Sequence, residues 1–91
     1  MRFLRSFNES FEKAVEYYLA ADRNVAQRFI TAVERATQQV SRFPKIGKSV
    51  DSCRVLLLED FPFSFYYQED LEGGPVGVLL YHHQQKELPK F

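Results

Sequence analysis

The chain has no tryptophan, one cysteine, one methionine, and only four glycines and four prolines in 91 residues. A lone cysteine cannot close an internal disulfide, and Cys53 heads an oily stretch. Packing is therefore its expected use, and a reducing cytoplasm the expected location. No apolar run approaches the roughly 20 residues of a membrane-spanning helix. The opening "MRFLRSF" is basic, but no apolar stretch of signal-peptide length follows it. The glycines of "EGGP" lie between strand-like runs and open no helix, so no phosphate-cradling loop is expected. Net charge is missing too, with 12 Lys or Arg against 12 Asp or Glu.

That balance hides an asymmetry. Residues 1–54 carry ten basic and six acidic side chains, a net of +4, and residues 55–91 carry two and six, a net of −4. Gripping nucleic-acid phosphates takes clustered Lys and Arg, so the second half makes a poor platform for them. With 45% hydrophobic and 26% charged residues the chain is not disordered. Its length fits one domain, residues 1–91, burying roughly 60–65% of its unfolded surface.

The first half reads as a helical hairpin. "MRFLR" is strand-like, and Ser6 followed by Glu9 matches a capping box. Phe7, Phe11, Ala14, Val15 and Tyr18 then recur at helical spacing, to an end near "ADRN". Asn24 is a candidate cap for a second helix of about 20 residues, some 30 Å long. Its stripe is Val25, Phe29, Ala32, Val33, Ala36, Val40 and Phe43, and Pro44 and Gly47 stop it. The short turn makes the two helices antiparallel neighbours.

The second half reads as sheet. Residues 53–58, 63–68 and 76–82 are rich in Val, Leu, Phe and Tyr and are separated by turn-formers, which predicts an antiparallel meander. The fold class is α+β, order β-α-α-β-β-β, a two-helix hairpin on a small antiparallel sheet with residues 1–5 as the first strand. Side chains alternate faces along a strand, so Val55, Leu56, Leu57 and Leu58 cannot all meet the helices. Apolar surface is left over on the other face, for a partner, a second copy or the chain's own tail "KELPKF" to cover. Arg54, Leu56, Leu58 and Tyr66 are the residues expected to meet a partner, Arg54 as a charge facing an acidic segment. His82 and His83 point to opposite faces, with no Cys or carboxylate at ligand spacing. Structural or hydrogen-bonding roles are expected for both, and no metal or other cofactor.

In order, "FEKAVEYYLAADRNVAQRFITAVERATQQVSRFPKIGKSV", "CRVLLLEDFPFSFYYQ" and "VGVLLYHHQQKELPKF" resemble the RelE/ParE superfamily, toxins of bacterial type II toxin–antitoxin modules often labelled plasmid stabilization proteins. The resemblance covers nearly the whole chain and implies two helices against a small antiparallel sheet. It also implies a cognate antitoxin whose C-terminal segment wraps the toxin and, for ParE-like members, inhibition of DNA gyrase.

RelE-type members are ribosome-dependent ribonucleases with basic residues on the sheet to activate the ribose 2′-OH and stabilise phosphate charge. The position of one such arginine falls on Ser64, and the basic pair that ParE-like members often carry before "FP" is Glu59 and Asp60. After His83 the usual arginine-rich stretch is Gln84, Gln85 and Lys86, and the closing aromatic is Phe91, without a hydroxyl. The expected activity is therefore binding rather than catalysis, with antitoxin and gyrase as partners and a homodimer in the absence of antitoxin. Two alternatives stay open. One is a ribonuclease using Arg54, His83 and Lys86, and the other is an attenuated module that keeps only antitoxin binding.

Overall fold

The computed structural model describes residues 1–70 and 72–85. A two-residue strand β1 (Arg2–Phe3) leads into helices α1 (Arg5–Ala21) and α2 (Arg23–Arg42). Strands β2 (Lys48–Val50), β3 (Cys53–Leu57), β4 (Phe63–Gln68) and β5 (Val76–His82) follow. The sheet runs β1-β5-β4-β3-β2. Neighbours are antiparallel except β1, which pairs parallel to β5 with Arg2 opposite Val76 and Phe3 opposite Gly77. This is the expected α+β order with one addition: "KSV" forms a short edge strand returning through Asp51–Ser52 into β3. Asp51 takes the left-handed turn conformation, φ 51°, which Asp tolerates better than most residues.

Both helix starts differ from expectation. Asp22 alone separates the helices, and its carboxylate accepts the N–H groups of Asn24 and Val25 at 2.7 and 3.4 Å. The cap of α2 is thus Asp22 and not Asn24, because a one-residue break leaves Asn24 already inside the first turn. Helix α1 begins at Arg5, one residue before the expected cap, and Leu4 caps it without a side-chain bond. Ser6 instead donates to the Val78 carbonyl at 2.5 Å. Val78 is the extra residue of a bulge in β5, since Leu79 lies opposite Tyr66 but Gly77 opposite Tyr67. One turn on, the Ser10 hydroxyl accepts the Leu80 N–H at 3.0 Å. Two serines thus pin α1 to β5. Glu9, freed from any capping box, pairs with Arg5.

The helices cover one sheet face. Phe7, Ala14, Phe29, Val33, Ala36 and Val40 pack on Phe63, Phe65, Tyr67 and Leu80, with Leu58 at the end of β3. Phe29 is 0% exposed and touches four rings, those of Phe11, Tyr18, Phe61 and Phe63, at centroid separations of 5.1–6.2 Å. A Cβ on Gly77 would lie 2.6 Å from the Phe3 ring, so only glycine lets β1 lie this close. Phe43 departs from the predicted stripe and is 60% exposed. Its backbone, φ −131° and ψ 78°, has left the helical spiral, so its side chain no longer follows the direction of Val40.

Candidate functional site

Cross-strand pairing decides where the expected partner residues point. Arg54 lies opposite Tyr67 and Leu56 opposite Phe65, on the helix-covered face, while Tyr66 lies opposite Val55 and Leu79 on the other. Leu58 is buried in the core, and Leu56 packs against that core. The four residues do not form one surface. Only Tyr66 belongs to the face away from the described helices, where its ring meets Tyr81 edge-on at 6.2 Å. Around it stand Val55 and Leu79, half-buried, and Leu57, which is 65% exposed.

Arg54 is occupied within the fold. Its guanidinium pairs with Glu69, donates to the Gly47 carbonyl at 2.8 Å and reaches the Lys45 carbonyl at 3.4 Å. Tyr67, 0% exposed, donates its hydroxyl proton to the Pro44 carbonyl at 2.6 Å and accepts the Gly47 N–H at 2.9 Å. Burial pushes the Tyr67 phenol up, against the smaller opposite pull of the Gly47 N–H and Arg54. A Cβ on Gly47 would come within 2.8 Å of the Tyr67 hydroxyl, so the loop approaches the sheet this closely only with glycine there. Residues 44–47, the exit from α2, are therefore fastened to the sheet by one buried phenol and one guanidinium. Sequence reading saw Pro44 and Gly47 as helix stops, but their partners 20 or so residues away emerge only from the fold.

The fastened loop holds two large apolar side chains outward, Phe43 at 60% and Ile46 at 45% exposure. One open groove beside them is lined by Arg42, Phe43, Lys45 and Ile46 with Glu69 and Pro75. A second groove, on the other side of Phe43, is lined by Arg35, Gln39, Arg42, Phe43, Leu57 and Glu59. The Arg42 guanidinium sits 5.9 Å from the Phe43 ring centroid. Sequence reasoning missed Phe43 and Ile46 as surface residues. The available signal was their place immediately after the last helical turn, where periodicity no longer dictates direction.

The histidines part as expected. His82 meets the Phe63 ring edge-on at 4.9 Å, and its Nδ1 accepts the Gln84 N–H. His83 leaves the strand, and its Nε2 lies 3.0 Å from the Ser64 hydroxyl. Ser64 is 7% exposed. A serine and histidine at this distance are the first two parts of a nucleophilic triad, but little of Ser64 reaches the surface, and His83 has no carboxylate in ion-pairing distance among the described residues. The pair instead ties the turn after β5 to the middle strand. Lys86, the third residue of the ribonuclease alternative, lies outside the described residues. No group of three potential metal ligands occurs among the described residues, and no described helix is long and apolar enough to cross a membrane.

The sequence matches the family model of the ParE toxin of type II toxin-antitoxin system, parDE, over residues 1–87. No curated protein matches the chain. Among solved structures, a chain of the chromosomal ParDE TA system from P. aeruginosa superposes with a TM-score of 0.73 at 16% identity, covering 89% of this chain and 91% of that one. At that identity the likeness speaks for the fold. The family match, spanning strand, helical hairpin and meander, is what establishes that the chain belongs to the ParE toxin family of type II toxin–antitoxin systems.

Proposed function

We propose that this ParE toxin works by binding, with DNA gyrase as its target, and that a cognate antitoxin neutralises it by covering the sheet face that the helices leave bare. The observation that carries the binding reading is Ser64. It stands where the resemblance puts a catalytic arginine of RelE-type members, and it is buried against His83 instead of presenting charge. Glu59 and Asp60, both exposed, add negative charge nearby that repels a phosphodiester. Antitoxin docking is supported by Val55, Leu57, Tyr66, Leu79 and Tyr81, apolar and aromatic residues on the sheet face opposite the described helices. Choice of gyrase rests on the family.

The test sets purified toxin against two machines. Supercoiling by gyrase should fall with toxin concentration and recover on adding antitoxin, while mRNA on programmed ribosomes stays intact. Site-specific mRNA cleavage lost on His83→Ala would overturn the binding reading. Unaffected gyrase together with growth arrest on induction would replace the target.

A further inference from the structure

We infer that the ledge made by Phe43, Ile46 and Leu57 seats an extended, acidic, apolar segment of the antitoxin, lying along the open edge of β3 as the sheet-face contacts continue outward. The inference rests on the reading that an antitoxin binds this chain. It adds where one part of that partner goes and what chemistry that part has.

Four observations converge. The three side chains are 60, 45 and 65% exposed, an apolar surface that a lone soluble chain gains nothing by showing to water. Their arrangement is held fast. The Phe43 N–H bonds to the Gln39 carbonyl at 2.8 Å and the Ile46 N–H to the Phe43 carbonyl at 2.9 Å, while Tyr67 and Arg54 clamp the loop from below. A partner therefore meets a surface already ordered and does not have to order it.

Charge names the partner's chemistry. Glu69 and Asp70 beside the ledge are already paired, with Arg54 and Arg2. Arg35, Arg42 and Lys45 have no carboxylate within ion-pairing distance among the described residues. At the Leu57 end Glu59, with Asp60 next to it, is left without an ion-pair partner among the described residues, against the three cations. The balance of unmet charge around the apolar ledge is positive, which suits Asp or Glu interleaved with large apolar residues. Backbone supplies the last observation. Strand β2 pairs only with Cys53–Val55, so among the described residues no strand lies beside Leu56 and Leu57 on that side, and an extended segment can add there.

A second copy of this chain fits less well. Two-fold pairing about Phe43 would set Arg42 and Arg35 against their own counterparts, like charges facing across a symmetric contact.

The test uses the full-length toxin and the product of the reading frame adjacent to its gene, with affinity and association rate measured by surface binding at low and high salt. Phe43→Ser should weaken binding about tenfold or more, as loss of a buried aromatic anchor does. Arg42→Glu should slow association at low salt, an effect that shrinks in about 0.5 M salt as screening shortens the field. Leu19→Ser, an exposed leucine on α1, should leave affinity unchanged. Melting temperatures show that the surface variants remain folded, and amide exchange should slow at residues 56–58 on binding. Wild-type-like affinity in both ledge variants overturns the inference while leaving antitoxin binding intact. Failure of the unaltered toxin to bind overturns both. Dimerisation of the free toxin that Phe43→Ser abolishes makes the second copy the occupant and overturns the inference as well.

Discussion

Replacing Tyr67 with phenylalanine removes one oxygen and no packing volume, so it isolates the contribution of the clamp under residues 44–47. The ring keeps its place, packed edge-on against Phe65 at 5.9 Å. Two hydrogen bonds vanish, the donation to Pro44 and the acceptance from Gly47. Each contributes roughly 0.5–1.5 kcal/mol net, and the buried Gly47 N–H, left unpaired, adds a desolvation penalty of roughly 1–3 kcal/mol. The expected loss is about 2–6 kcal/mol, against about 5–14 kcal/mol for a domain of this size. In thermal unfolding followed by circular dichroism that loss lowers the midpoint by roughly 10–30 °C. Amide exchange at Gly47 should accelerate well before global unfolding, because the loop opens while the sheet stays. A midpoint within about 2 °C of wild type, with Gly47 still protected, would show that water replaces the phenol and that the clamp does not set the loop.

Phe29→Ala should cost roughly 3–5 kcal/mol, since it opens a cavity among four rings that cannot all close in, while Gln38→Ala on the exposed side of the same helix should change little; similar denaturation midpoints for the two would mean the buried face of α2 is assigned wrongly. Arg54→Glu sets a carboxylate beside Glu69 and removes the bond to the Gly47 carbonyl, so it should destabilise by roughly 1–3 kcal/mol; its main effect belongs in urea midpoints and not in partner association. Burial raises the phenols of Tyr18, Tyr66 and Tyr67 above their ordinary value of 10.0. Burial raises the Cys53 thiol above its ordinary 9.0 as well, so the unfolded chain loses these protons first and stability should hold up to about pH 9 and fall beyond it, less steeply in Tyr67→Phe; a flat profile from about pH 8.5 to 11.5 would contradict the burial.

Much of the fold was legible because the strands and helices announce themselves by different periods. Runs 63–68 and 76–82 coincide with β4 and β5, and the stripe from Phe29 to Val40 is the buried line of α2. What escaped was decided by competition or by distance. Asp22 and Asn24 are both good caps two residues apart, and only the one-residue break selects between them. The Ser6 hydroxyl can either accept an N–H of the first turn or donate across the fold, and a bulge 72 residues away takes its proton. "KSV" is too short to signal a strand alone and exists because β3 offers it an edge.

The candidate site was less legible for the same reason. Arg54 stands out in the sequence as the one basic residue of its strand and as a charge for an acidic partner, whereas in the fold it pairs with Glu69. Its role, however, depends on a loop that sequence reading treated as punctuation. Strand alternation placed Tyr66 correctly, but it could not tell that Leu58, just past the end of β3, turns into the core.

The parallel pairing of β1 with β5 carries a consequence for how the toxin is made. Arg2 and Phe3 are synthesised more than seventy residues before their partners Val76 and Gly77. The helical hairpin, whose contacts are local, can form early, whereas closing the sheet must wait for β5 and bears the loop-closure entropy of nearly the whole chain. During that interval β4 is an unpaired edge with Phe65 and Tyr67 without their neighbour strand, a nascent chain open to capture by anything that offers a strand. If an antitoxin neutralises this toxin as proposed, one present at that stage meets an unfinished sheet, before the folded molecule exists.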